Sequence, residues 1–110
     1  MSTTPSPVAT FRKLVDERCD QLQTRSFADL ERLAKPRFGT VGENLTVGSR
    51  SGIILTIVES RDDGTLRVVV RGALQWRFIP FAYNMAMAGF YKHPDGGVKP
   101  MPEKEFLEFD

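Results

Sequence analysis

The stretch Thr65-Leu-Arg-Val-Val-Val-Arg-Gly-Ala-Leu-Gln-Trp-Arg-Phe-Ile79 decides the fold class of this chain. Except at Gly72, large apolar side chains occupy every second position from Leu66 to Phe78, and the positions between them include Arg67, Arg71, Gln75 and Arg77. A period of two residues is that of a β-strand, whose side chains point alternately to the two faces of a sheet. The stretch therefore predicts a long antiparallel strand with one apolar and one basic face.

A second strand is predicted from Ile53 to Glu59, joined to the first by a turn at Asp62-Asp63-Gly64. An even-length loop puts the odd-numbered aliphatic residues of this strand on the face of Val68 and Val70, whereas a three-residue loop puts Ile54 and Val58 there. We prefer the even-length loop because it gathers more aliphatic volume on one face, from Ile53, Leu55 and Ile57.

Residues 81–88, FAYNMAMA, fit two structures. Pro80 and Gly89 stand where a helix would begin and end. The run also alternates strictly between large and small side chains, as a strand does. We favour a strand, because another even-length connection would place Tyr83 beside Trp76 and Met85 near Leu74.

Two amphipathic helices precede the strands. The first is predicted from Thr10, as its N-cap, to Thr24, and the second begins at Ser26 and ends before Pro36. Asp29 gives the second helix an acidic variant of the capping box. Helical spacing selects the residues that each helix buries: Phe11, Leu14, Val15, Cys19 and Leu22 on the first, and Phe27, Leu30, Leu33 and Ala34 on the second.

These elements predict an α+β fold, in which two N-terminal helices pack on a curved antiparallel sheet of about four strands. We expect residues 1–9 to form a disordered tail and residues 10–110 to form a single domain. Gly72 interrupts the apolar row and predicts a bulge. A short strand is expected within residues 37–51, and residues 103–109 form an edge strand or a helical turn, since Pro100 and Pro102 disfavour a central strand.

Composition excludes several functional classes. The formal charge of +1 provides no global field for nucleic acid, and the single cysteine and single histidine disfavour a disulfide or a metal site. No P-loop, dinucleotide-binding glycine pattern or nucleophile elbow is present. We expect a cytoplasmic protein with no cofactor, because there is neither a signal peptide nor a membrane-spanning apolar run.

The helix pair resembles the opening of the NTF2-like (SnoaL-like) superfamily of the cystatin-like fold. The resemblance lies in Leu14-Val-Asp-Glu-Arg-Cys-Asp-Gln-Leu22 and Arg25-Ser-Phe-Ala-Asp-Leu-Glu-Arg-Leu-Ala-Lys-Pro36, and the later long strands suit that family's curved sheet. The family often has a further strand and a third helix after this pair, which this chain has little room for. The resemblance implies a ligand pocket in the cone of the sheet. It carries no catalytic residue onto this chain.

Three sets of residues are candidates for a site. An apolar ligand pocket could be lined by Trp76, Tyr83, Met85 and Met87, or these residues could be plain core. Arg67, Arg71 and Arg77 could form an anion or partner surface, although no aromatic residue is interleaved for base stacking. His93 is assigned to a surface loop, and Cys19 to the buried, inert stripe of the first helix.

The leading hypothesis is a binding or structural module that forms a homodimer through the outer face of its sheet. That face is expected to carry apolar residues among the arginines: Ile54, Val58, Val69, Ala73 and the alanines of residues 82–88. The alternative is a small cofactor-independent enzyme of the isomerase, dehydratase or hydrolase type, which acts on an apolar ligand near Tyr83 and Trp76.

Overall fold

A computed structural model describes residues 6–34, 38–76, 78–79 and 82–101. Its elements are α1 (Pro7–Gln23), α2 (Phe27–Leu33), β1 (Phe38–Val47), β2 (Arg50–Ser60), β3 (Leu66–Gln75), β4 (Tyr83–Lys92) and β5 (Val98–Pro100). The strands form one antiparallel sheet in the order β1-β2-β3-β4-β5. The predicted α+β class is confirmed, but the described sheet has five strands instead of about four.

The two helices begin at serine caps. Ser6 Oγ accepts a hydrogen bond from the backbone N–H of Ala9 at 3.1 Å, so α1 starts at Pro7, a position that suits proline. The predicted cap Thr10 is wrong, because Thr10 already lies in the first turn and its N–H donates to the Ser6 carbonyl. Residues 7–9 of the predicted tail are therefore helical, and residues 1–5 lie outside the described residues.

α2 begins as predicted at Ser26, whose Oγ accepts from the Asp29 N–H at 3.2 Å. The predicted stop at Pro36 lies outside the described residues.

Both helices pack on the same face of the sheet. α1 lies mainly across β3 and β4, and α2 contacts β1, β2 and β3. The predicted apolar stripes of both helices are confirmed. The resulting core contains Phe11, Val15, Cys19, Leu22, Leu30, Ala34, Val47, Ile54, Val58, Leu66, Val68, Val70, Leu74, Ala86 and Phe90.

The predicted register between β2 and β3 is wrong. Val58 lies opposite Val68, and Ile54 lies opposite Gly72, so Ile54 and Val58 face the helices. The reason is the three-residue loop Asp62-Asp63-Gly64 inside the pair Arg61–Thr65, where the Arg61 N–H donates to the Thr65 carbonyl at 2.9 Å. Gly64 has a φ of +89°, which is the left-handed residue that such a loop requires.

Residues 83–88 form a strand, as predicted, and Phe81 lies outside the described residues. The predicted register between β3 and β4 is wrong, because Tyr83 lies opposite Gln75 and Met85 lies opposite Ala73. The connection is again odd in length, with the Trp76 N–H donating to the Ala82 carbonyl at 2.9 Å. Between Tyr83 and Ala88, the small residues Ala86 and Ala88 therefore face the helices, and Tyr83, Met85 and Met87 face away. Phe90, further along β4, also faces the helices.

Gly72 lies in regular register between Ile54 and Ala86, so the predicted bulge is wrong. A Cβ on Gly72 would lie 2.7 Å from Phe11 Cζ and 2.7 Å from Val15 Cγ2. Gly72 is therefore the position at which α1 approaches the sheet most closely.

We predict that Gly72→Ala lowers the free energy of unfolding by about 1–3 kcal/mol, because the added methyl group overpacks the core beneath α1. Urea denaturation followed by circular dichroism measures the change. Gly42→Ala is the matched control, since its Cβ would meet only side-chain atoms, Leu55 Cδ2 at 3.3 Å and Ile53 Cδ1 at 3.9 Å. Equal stability of the two variants would contradict the close approach.

Candidate functional site

The face of the sheet turned away from the helices is apolar across its three central strands. We call it the open face. Three rows of register partners cross it: Ile53, Ala73 and Met85 form the first, Leu55, Arg71 and Met87 the second, and Ile57, Val69 and Gly89 the third. Of these residues, only Arg71 carries a charge.

One end of the open face is covered and the other is not. Met101 packs over Gly89 and forms a buried cluster with Ile57, Val69 and Tyr91. Gly89 permits this contact, because a Cβ there would lie 2.9 Å from Met101 Sδ. At the other end, Tyr83 is 52% exposed and Met85 is 51% exposed.

Among the described residues, Met101 is the one residue outside the four long strands that packs into this cluster. The row from Ile53 to Met85 is not part of this cluster: Ile53 and Ala73 are half-buried and Met85 is exposed.

The open face differs in composition from the outer face that the sequence predicted. Ile54, Val58 and Ala86 lie in the core under the helices instead, whereas Val69 and Ala73 are on the open face as predicted. The open face takes the larger residues Ile53, Leu55, Ile57, Met85 and Met87 in their place. It is consequently more apolar than the sequence indicated.

The predicted arginine surface is not assembled among the described residues. Arg67 is buried, opposite Glu59 on β2 and Tyr91 on β4. Arg71 is half-buried between Leu55 and Met87. Arg77 lies outside the described residues.

The cavity that the described residues form around Trp76 does not include the other three predicted pocket residues. A cavity of about 320 Å³ is lined by Arg50, Trp76, Phe78, Ile79 and Asn84. Tyr83, Met85 and Met87 lie on the open face, whereas Asn84 alternates with them and faces the helix side. Trp76 is therefore separated from the other three candidates.

Hydrogen bonds from Arg50 hold this cavity together. Arg50 Nε donates to the Gln75 carbonyl at 2.7 Å, and Arg50 Nη2 donates to Asn84 Oδ1 at 2.6 Å. The described lining contains no carboxylate, imidazole or thiol that could act as a general base. The cavity can accept an apolar group, but these side chains do not supply acid–base catalysis.

A polar cleft of about 350 Å³ lies at the opposite end of the sheet, where two turns meet. Its lining residues are Arg61, Asp63, Thr65, Tyr91, His93, Lys99 and Pro100. The Arg61 guanidinium carbon lies 5.1 Å from the centroid of the Tyr91 ring, within range of a cation–π interaction. The turn signals Asp62-Asp63-Gly64 and Asp95-Gly96-Gly97 predicted the two turns separately, and only the strand order brings them together.

The carboxylates of Asp63 and Asp95 are used within their own turns. Asp63 accepts hydrogen bonds from the Thr65 N–H, at 3.0 Å, and from the Thr65 hydroxyl. Asp95 Oδ1 accepts from the Gly97 N–H at 2.8 Å, and the His93 N–H donates to the Gly97 carbonyl at 2.8 Å. These contacts shape the turns, as expected for aspartates at such positions.

Within the described residues, no group of three or more histidine, cysteine or acidic side chains could hold a metal ion. No described helix has the length and apolarity needed to cross a membrane. The chain matches no protein-family model, no curated protein and no solved structure. The resemblance to the NTF2-like superfamily therefore stays a prediction from the helix pair.

Hydrogen bonds from the side chain and backbone of Thr65 lower the pKa of the Asp63 carboxyl. A carboxylate with a lowered folded-state pKa stabilises the fold above its unfolded-state pKa, and this contribution is lost as pH falls through the folded value. We predict that Asp63→Asn is less stable than the parent at neutral pH and that the difference shrinks in acid. Urea unfolding at a series of pH values measures it, and a pH-independent difference would contradict the prediction.

Burial raises the pKa of the Cys19 thiol. Because the thiolate is the reactive form, we predict negligible labelling by a disulfide reagent such as DTNB under native conditions and full labelling in denaturant. The chain has one cysteine, so the absorbance signal reports this site alone. Rapid labelling of the folded protein would show that Cys19 is not in the core.

Proposed function

We propose that this chain is a small binding or structural module that forms a homodimer through its open face. The observation that carries the proposal is the uncovered row Ile53-Ala73-Met85, with Tyr83 half-exposed beside it. The helix pair followed by an antiparallel meander also supports a cystatin-like or NTF2-like relationship, which is part of the proposal.

An apolar patch of this kind favours an interface. Monomers rarely expose large contiguous apolar patches, and such patches mark interaction sites because association removes their apolar surface from water. Tyrosine and methionine, the two most exposed residue types here, are enriched at the centres of interfaces. Tyr83 and Met85 are therefore the residues that a partner would bury first.

A second copy of the chain fits this face better than a charged partner does. The formal charge of the chain is only +1, so two copies approach without strong repulsion. Arg71 is the one charged residue in the three rows of the open face, so charge contributes little to the choice of a partner. Two sheets stack face to face at a spacing of about 10 Å, with their side chains interdigitating.

The enzyme alternative has weaker support. It requires Trp76 and Tyr83 beside one cavity, whereas Tyr83 lies on the open face and does not line the Trp76 cavity. No described group in that lining could transfer a proton. A binding module accounts for the exposed apolar residues without a missing catalytic group.

We predict that Met85→Glu weakens the homodimer at least about tenfold, or roughly 1.4 kcal/mol, because a carboxylate would be buried between two apolar faces. Sedimentation velocity over a range of concentrations measures the dissociation constant. Val98→Glu is the matched control, because Val98 is also partly exposed but lies at the opposite parity of the sheet, on β5.

Three results would overturn the proposal. The parent chain could be monomeric at every concentration, or both variants could shift the equilibrium equally. The third is that the full chain is monomeric and dimerises only after residues 102–110 are removed. In that case the chain's own C-terminal segment is the occupant of the open face.

A further inference from the structure

The two edges of the sheet differ in their protection. β5 has three residues, including Lys99 and Pro100, and short edges with lysine or proline resist pairing with other chains. β1 has ten residues and contains neither proline nor lysine. Its one charged residue, Glu43, forms an ion pair with Arg18 of α1. β1 is therefore less protected than β5, because it is longer, has no lysine or proline, and its one charge is already paired.

Every second residue of β1 points its backbone N–H and C=O groups away from β2. The turn at Gly48 and Ser49 joins β1 to β2, and Gly48 has a φ of +62°, as the first position of a type II′ turn requires. The pair Val47–Arg50 closes this two-residue turn, and hydrogen-bonded pairs alternate along an antiparallel ladder. The even-numbered residues Thr40, Gly42, Asn44 and Thr46 therefore direct their N–H and C=O groups away from β2.

The described structure leaves the middle of this edge accessible. α1 lies mainly across β3 and β4, and α2 reaches β1 at Gly39, beneath the Leu33 carbonyl. Val41 is 49% exposed, and residues 42–44 are exposed as well. No described strand pairs with the outer side of β1.

We propose that β1 pairs antiparallel with β1 of a second copy, across a two-fold axis near Gly42, to make a continuous ten-stranded sheet. This axis places Val41 beside the partner's Glu43 and keeps the two Glu43 side chains from facing each other directly, where like charges destabilise. A two-fold pairing also closes, because each copy uses its β1 edge once. The edges that remain are the two short β5 strands.

The edge is separate from the open face, so the inference goes beyond the proposed function. A chain that uses both surfaces assembles as a tetramer, in which two ten-stranded sheets stack through their open faces. A substitution can then disrupt the contact at one surface and leave the contact at the other intact. The assembly state distinguishes the two proposals.

The experiment combines an edge variant with the face variant. Asn44→Pro removes one outward N–H and leaves the β1–β2 ladder intact, and Asn44→Ala is its matched control because it keeps that N–H. Each is made in the parent chain and in Met85→Glu, and sedimentation velocity measures the mass. We expect a tetramer for the parent and for Asn44→Ala, dimers for Asn44→Pro and Met85→Glu, and a monomer for their combination.

The outcomes separate cleanly. If Asn44→Pro assembles like Asn44→Ala in both backgrounds, the edge inference fails whatever the face variant does. If Met85→Glu does not reduce the mass but Asn44→Pro halves it, the edge inference stands and the proposed function fails. If the parent chain is monomeric, both fail.

A second measurement covers the case in which Asn44→Pro does not fold. Hydrogen exchange of the Thr40, Gly42 and Asn44 amides is followed in Met85→Glu at increasing protein concentration. We expect their protection to rise as the edge dimer forms, while the protection of Val41, whose N–H bonds to β2, changes less. Concentration-independent exchange at all three amides would overturn the inference.

Discussion

The close contact of α1 with the sheet is the constraint on which the rest of this structure depends. A Cβ on Gly72 would lie only 2.7 Å from side-chain atoms of Phe11 and Val15. Ala86 is the register neighbour of Gly72 on β4. Small residues at these two positions let the helix bury its stripe against backbone. Longer side chains would hold α1 off the sheet and open cavities around Val68 and Val70, the centre of the core.

The need for small residues beneath α1 also decides which side chains of residues 83–88 lie on each face of the sheet. Because the alanines must lie under the helix, Tyr83, Met85 and Met87 are directed to the other side. The open face therefore carries larger apolar groups than the outer surface of a two-layer α+β fold needs. Met101 covers one end of it, and the described part of the chain leaves the other end uncovered.

The described residues leave two surfaces of different chemistry uncovered. The open face offers apolar side chains, so the association that we propose for it is driven by burial and has little directional preference. The β1 edge offers backbone donors and acceptors, so the pairing that we propose for it has a defined direction and register. In the proposed assembly, the open face sets how strongly copies associate, and the edge sets their geometry.

The local sequence pattern determined the α+β class, the stripes of both helices from Phe11 to Ala34 and the Ser26 cap, because these depend on residue type and spacing within one element. Periodicity left residues 83–88 open between helix and strand. The strand is confirmed, but the even-length connection for which we favoured it is absent. The tertiary structure decided which face each strand turned to the helices. That choice depends on whether the loops at residues 61–65 and 76–82 are odd or even in length. Lengthening or shortening a loop by one residue moves every side chain of the following strand to the other face of the sheet. Aliphatic volume favoured the wrong parity, because the sequence pattern does not show that α1 needs glycine and alanine beneath it. The placement of Trp76 and Tyr83 on opposite faces of the sheet follows from that same parity.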